Sequence, residues 1–208
     1  MAKHTVFLFL IIFYTQQLIG QNKIDSTDYE IQNIAVAMQQ NDTLDIRIKL
    51  DNLLSEKLSK ILESPNSFNF TYDSLQAIRK LQSPDGRIKI FTWHFALNDE
   101  HYVQRGYLQF KSNDGISHYL KLNNVADEIE NKELPVSTYK EWIGAVYYDI
   151  IQTEFEGKPY YTLLGFDAFN KLVTNKLIEV LHFEDDQPIF GGDFFIYPQD
   201  ATYPKAPI

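Results

Sequence analysis

The chain of 208 residues contains no cysteine. That excludes a disulfide framework, a thiolate nucleophile, an iron–sulfur cluster and a Cys-type zinc site. Histidine is scarce at five, and methionine and tryptophan number two each. Positive charge is in short supply, with 19 Lys and Arg against 28 Asp and Glu. The net charge of −9, with no Lys/Arg cluster to reverse it locally, disfavours nucleic acid or an anionic membrane surface as partner. There is no Gly-x-Ser-x-Gly elbow, no P-loop, no Gly-x-Gly-x-x-Gly and no His-Glu-x-x-His. Their absence lowers the odds of an enzyme without excluding one, since catalytic triads are defined by geometry.

What is present begins at the N-terminus. Lys3 precedes an unbroken apolar run, Val6 to Tyr14, and Leu18-Ile19-Gly20 follow a short polar stretch. A basic start, an apolar middle and a small exit residue predict a secretory signal over 1–20, with the mature chain starting at Gln21. The run falls short of the roughly twenty apolar residues that span a bilayer, and no lipobox cysteine follows it. The expectation is an exported protein, periplasmic or extracellular, with no membrane anchor after cleavage. Residues 21–208 suffice for one domain with a proper core, and 44% apolar and 14% aromatic content is globular.

Ser26-Thr27-Asp28 caps a helical face of Ile31, Ile34, Ala35 and Met38. Asn41-Asp42-Thr43 offers a second cap, and Leu50, Leu53, Leu54, Leu58, Ile61 and Leu62 form a stripe closed by Ser64-Pro65. Leu44, Ile46, Ile48 and Leu50 alternate, which would suit an extended start. From about Phe68 the period becomes that of strands. Turns at Ser83-Pro84-Asp85-Gly86, Asn98-Asp99, Ser112-Asn113-Asp114-Gly115 and Glu156-Gly157 separate β-prone runs. These are Arg87 to Phe95, Tyr102 to Lys111, Ile116 to Leu122, Trp142 to Thr153, Tyr160 to Phe166, Leu177 to Phe183 and Pro188 to Tyr197. The polar stretch Asn124 to Tyr139 reads as a long connection. The predicted fold is α+β: two N-terminal helices (28–64) packed on a twisted, mostly antiparallel sheet of about seven strands (68–197), with a loose Pro-rich tail (198–208).

Three stretches resemble a group of uncharacterised exported proteins of Bacteroidetes-type bacteria. They are Ser83-Pro84-Asp85-Gly86-Arg87-Ile88-Lys89-Ile90-Phe91-Thr92-Trp93, Tyr160-Tyr161-Thr162-Leu163-Leu164-Gly165-Phe166-Asp167, and Thr174-Asn175-Lys176-Leu177-Ile178-Glu179-Val180-Leu181-His182-Phe183. The resemblance implies no activity and no catalytic residue. Members of that group continue with strand-like segments past Phe195, so it implies a shortened sheet with an open edge over Ile189 to Tyr197.

Candidate chemistry is sparse. A two-residue turn at Asn98-Asp99 would place Ala96 opposite His101 and make His94 and His101 diagonal neighbours. With Asp99 and Glu100 they would suit a divalent metal, although a solvated hairpin tip explains them with less. Glu184-Asp185-Asp186 and Asp193 supply oxygen ligands but lack the spacing of a calcium loop. Glu154, Glu156, Asp149 and Asp167 surround one predicted hairpin. With Asp149 opposite Leu164, an acid facing an apolar surface is conceivable, and Asp149 and Asp167 are the catalytic candidates. Trp93, Tyr107, Trp142, Tyr148 and Tyr161 are the ligand-binding candidates, because aromatic rings on a sheet make a stacking platform, with core filling as the default. The sequons at Asn41 and Asn69 are common by chance. The favoured function is an exported, non-catalytic binding or interaction module with a protein or glycan partner and no cofactor. The competing class is an exported hydrolase acting through carboxylates or a metal.

Overall fold

The computed structural model describes residues 27–64, 66–98, 101–126, 136–168, 172–192 and 194. The leader at 1–20, the tail at 198–208, Asp99, Glu100 and Asp193 lie outside the described residues. The α+β class holds. Helix α1 covers 27–40 and α2 Leu44–Leu62. α2 is helical from its first residue, so the Leu44–Leu50 alternation does not produce extended chain and leaves Leu44 and Ile46 exposed.

One sheet of about seven strands is replaced by two antiparallel sheets. The first has four strands in sequence order: β1 (Arg79–Gln82), β2 (Ile88–Ala96), β3 (Tyr102–Lys111) and β4 (Ser117–Leu122). The second has five: β5 (Val136–Thr138), β6 (Val146–Phe155), β7 (Lys158–Ala168), β8 (Thr174–Glu184) and β9 (Gln187–Gly191), in the order β5-β9-β8-β7-β6. β1 and β5 are too short to show a period in the sequence. β9 pairs with β8 on one side and β5 on the other, so the expected open edge over Ile189 to Tyr197 is not an edge where it is described. Pro188 is tolerated there because β5 reaches only Ile189, and its missing N–H falls past the end of that strand.

The division into two sheets follows from β2. Its odd residues Phe91, Trp93 and Phe95 join Tyr107 of β3 in a core with Ile31, Met38, Leu54 and Leu58 of the helices. Its even residues Ile88 and Ile90 join Leu108, Phe110 and Leu122 in a core with Tyr161, Leu163, Leu181 and Phe190 of the second sheet. Side chains alternate along a strand, so apolar residues at both parities demand a layer on each face. The stack is therefore helices, four-stranded sheet, five-stranded sheet.

Polar pins cross each layer. Asp51 of α2 is buried and accepts from Trp93 Nε1 at 2.8 Å and Arg105 Nε at 2.9 Å. Lys89 is buried on the helix side and donates to the carbonyls of Phe68 (2.7 Å) and Phe70, anchoring the 66–70 segment. Burial without a counter-charge draws its ammonium down to about 8. Between the sheets, Asp85 accepts from Tyr161 Oη at 2.7 Å, and Asp186 accepts from Arg87 Nη2 at 3.1 Å. Replacing Asp51 by Ala strands the indole N–H in an apolar core. Urea denaturation is expected to show a loss of about 2–4 kcal/mol, and an unchanged midpoint would show that α2 is held by its apolar stripe alone.

Candidate functional site

At the helix–sheet interface the β1–β2 ladder is shorter than β2 itself. In register, Arg79 of β1 pairs with Thr92, so Ala77 would come next opposite His94. Helix α1 prevents this. The Gln32 side-chain oxygen accepts from the main-chain N–H of both Gln76 and Ala77 at 2.7 Å, and Gln39 Nε2 donates to the Ala77 carbonyl at 2.6 Å. The backbone that would extend β1 is thus tied to the helix. In β2, Leu97 N–H bonds to His101 O, which fixes the odd residues as those bonded to β3. The alternation of an antiparallel ladder then aims the main-chain N–H and C=O of His94 at the vacated edge.

A pocket of about 290 Å³ occupies that edge, lined among others by Gln39, Gln76, Arg79, Thr92, His94, Val146 and Phe166. Among the described residues no Asp or Glu lines it. The His94 ring stacks on Tyr102 (5.7 Å between centroids) and meets Phe166 edge-on at 5.8 Å. Burial lowers its pKa, so the imidazole is neutral at pH 7. Arg79 is exposed, and its guanidinium takes part in no ion pair or hydrogen bond among the described residues. The exposed Lys176 ammonium lies 5.7 Å from the Phe166 ring centroid and 4.9 Å from that of Tyr148. In a chain with an excess of acids, the described lining of the pocket carries one cation, Arg79, beside neutral polar and apolar side chains.

A larger cleft of about 410 Å³ runs along β4, lined among others by Glu63, Phe110, His118, Tyr119 and Tyr139. Several of its polar groups are already engaged: Tyr119 Oη donates to Glu63 at 2.8 Å, and His118 contacts Ser112 Oγ at 3.2 Å while stacking on Phe110. It offers a ligand less than the pocket at Arg79.

The candidates from the sequence are scattered. Trp93 is 2% exposed and stacks on Tyr107 in the helix-side core, and Trp142 and Tyr161 are fully buried between the sheets. Of the five aromatics only Tyr148, at 41%, faces solvent. Asp149 does pair with Leu164, but a bulge next to it turns the side chain outward, and its carboxylate accepts from Ile150 N–H. Asp167 accepts from Gln104 Nε2 at 2.8 Å. The β2–β3 register differs by one residue from the expected one, with Ala96 opposite Tyr102 and His94 opposite Gln104. His94 thus shares its face with Tyr102, not with His101. Among the described residues no group of three His, Asp or Glu is placed to hold a metal.

The most perturbed acid is one the sequence did not single out. Glu179 projects inward from β8, opposite Leu163, and accepts from Tyr147 Oη, which itself accepts from Trp142 Nε1 at 2.8 Å. Gly165 makes room for this, since a Cβ there would come within 2.9 Å of the Tyr147 ring. Burial raises the Glu179 carboxyl to about 7. Perturbed acids often mark sites, yet neither cleft above is lined by Glu179, and its role is to bridge the sheets. A folded-state value above the unfolded one means that the folded form binds more protons. The stabilisation is complete below the unfolded value and is lost as pH rises through about 7. Denaturation from pH 5 to 8 is expected to show a fall on the order of 3 kcal/mol that Glu179→Gln flattens. A parallel slope in the variant would place the titrating group elsewhere.

Arg79, Gln39 and Phe166 also escaped the sequence reading, because nothing in Ala77-Ile78-Arg79-Lys80 announces that β1 halts at Arg79. Comparison with protein-family models, with curated proteins and with solved structures finds no match.

Proposed function

We propose that this chain is an exported, non-catalytic binding module whose ligand is a small anion, a carboxylate, held at Arg79 and His94. The observation that carries the reading is an exposed guanidinium with no partner among the described residues, in a pocket that no described acid lines. Guanidinium and carboxylate match as planar, two-pronged partners. The neutral imidazole and the Gln39 and Gln76 amides add uncharged polar groups, and Val146 and Phe166 supply apolar wall. Binding is favoured over hydrolysis because the candidate acids Asp149 and Asp167 do not line the pocket. A sugar-stacking platform has little support, with one exposed ring among five candidates. Export rests on Lys3, the run Val6 to Tyr14 and Gly20, and on the resemblance to exported Bacteroidetes-type proteins.

Two measurements test this. Acetate and succinate in thermal-shift titrations are expected to raise the melting point. A ligand at about one hundred times its Kd adds about 2.7 kcal/mol to the native state, or several degrees for a domain of this size. Arg79→Gln is expected to abolish the shift, and a shift that survives it would overturn the assignment. Expression of the full chain in a Gram-negative host is expected to yield periplasmic protein beginning at Gln21. Cytosolic protein that retains Met1 would refute export.

A further inference from the structure

We propose that the pocket receives the C-terminal end of an extended peptide, whose main chain pairs with the open edge of β2 while its terminal carboxylate takes Arg79. The proposal deepens the anion-binding reading above and rests on it. Three features converge. The first is the main chain of His94, aimed at the edge that β1 vacates. An exposed strand edge is a template for adding another strand, in which main-chain hydrogen bonds give affinity and pockets for alternate side chains give specificity. The second is that the vacancy is held open, because Gln32 and Gln39 tie the Gln76-Ala77 backbone to α1. The peptide therefore need not displace a native strand. The third is Arg79, the first residue of β1 and the rung of the ladder nearest His94. Its register partner is Thr92, two residues before His94, and it stands where the added strand would run into β1 and have to end. A guanidinium at the point where a strand terminates fits a chain terminus better than an internal acidic side chain.

Size agrees with this. About 290 Å³ is at the lower limit for ligand pockets, so it admits a terminal residue or two and not a whole folded partner. Val146 and Phe166 would face an apolar terminal side chain.

The test uses the mature protein and fluorescence anisotropy with the N-terminally labelled peptide fluorescein-SAVAV. Its C-terminal amide and two versions N-methylated in turn at the last two main-chain nitrogens serve as controls. Saturable binding of the free acid is expected, with the amide weaker by about tenfold or more, in line with loss of a charge-assisted pair. At least one N-methyl peptide is expected to lose a similar factor, and Arg79→Gln is expected to bind acid and amide alike. Equal affinity of acid and amide for the wild type, indifference to both N-methylations, or no saturable binding of fluorescein-SAVAV overturns the proposal. If acetate still raises the melting point in an Arg79-dependent way, the small-anion reading stands and only the peptide inference falls. If acetate and peptide both fail, both fall.

Discussion

The structure depends on a sheet that must be dry on both faces. Phe91 and Trp93 on one side of β2, and Ile88 and Ile90 on the other, are each at most 2% exposed. A strand of this kind cannot lie at a surface, so two helices and a second sheet close over it. The arrangement leaves few ways for the layers to slip. Register is fixed by which side chains meet which core, because shifting β2 by one would carry Phe91 and Trp93 out of the helix-side core and put Ile88 and Ile90 in their place. The polar pins are placed where an apolar contact would not choose between alternatives. Asp51 sets the helix against Trp93, and the Asp85–Tyr161 and Arg87–Asp186 contacts set the first sheet against the second.

The same constraint creates the candidate site. Because α1 is drawn onto the face that holds Trp93, its glutamines come within reach of the chain entering β1. Gln32 and Gln39 satisfy the backbone of residues 76–77 in place of a β ladder. Main-chain groups must be paired somewhere, and a side chain that pairs them locally competes with sheet formation. Here the competition ends β1 at Arg79 and leaves β2 longer than its neighbour. The pocket is thus a product of unequal strand lengths, lined by residues from all three layers.

Legibility in the sequence followed periodicity. Both helices were foreseen, as were the hairpins at Ser83–Gly86, Ser112–Gly115 and Glu156-Gly157, since apolar spacing and turn chemistry are local signals. The turn residues Glu156 and Gly157 adopt the positive φ that a two-residue hairpin needs. What could not be read was how strands distribute between sheets. Phe91 and Ile90 are adjacent and both apolar, and a single sequence does not say whether a helix or another sheet covers the second of two faces. The four-residue β1 and three-residue β5 were lost for want of length. The site went unseen for a related reason: Arg79 has no motif around it, and its isolation arises from a register and from two glutamines some forty residues away. Glu179 shares its strand face with Leu177, Leu181 and Phe183, yet a lone acid in such a run gives no sign of a partner, and the Tyr147 hydroxyl that satisfies it lies more than thirty residues away.

Lys89 and Glu179 are lone charges of opposite sign, one in each of the two interiors. The ammonium, drawn down to about 8, costs the fold least in alkali, once it has given up its proton. The carboxyl, pushed up to about 7, costs least in acid. Their drifts oppose each other: the cost of the carboxylate sets in as pH rises out of the acid range, and that of the ammonium falls away as pH rises into the alkaline. With respect to this pair, the protein is least secure near neutrality and firmer to either side, a profile inverse to the familiar dome centred on neutral solution.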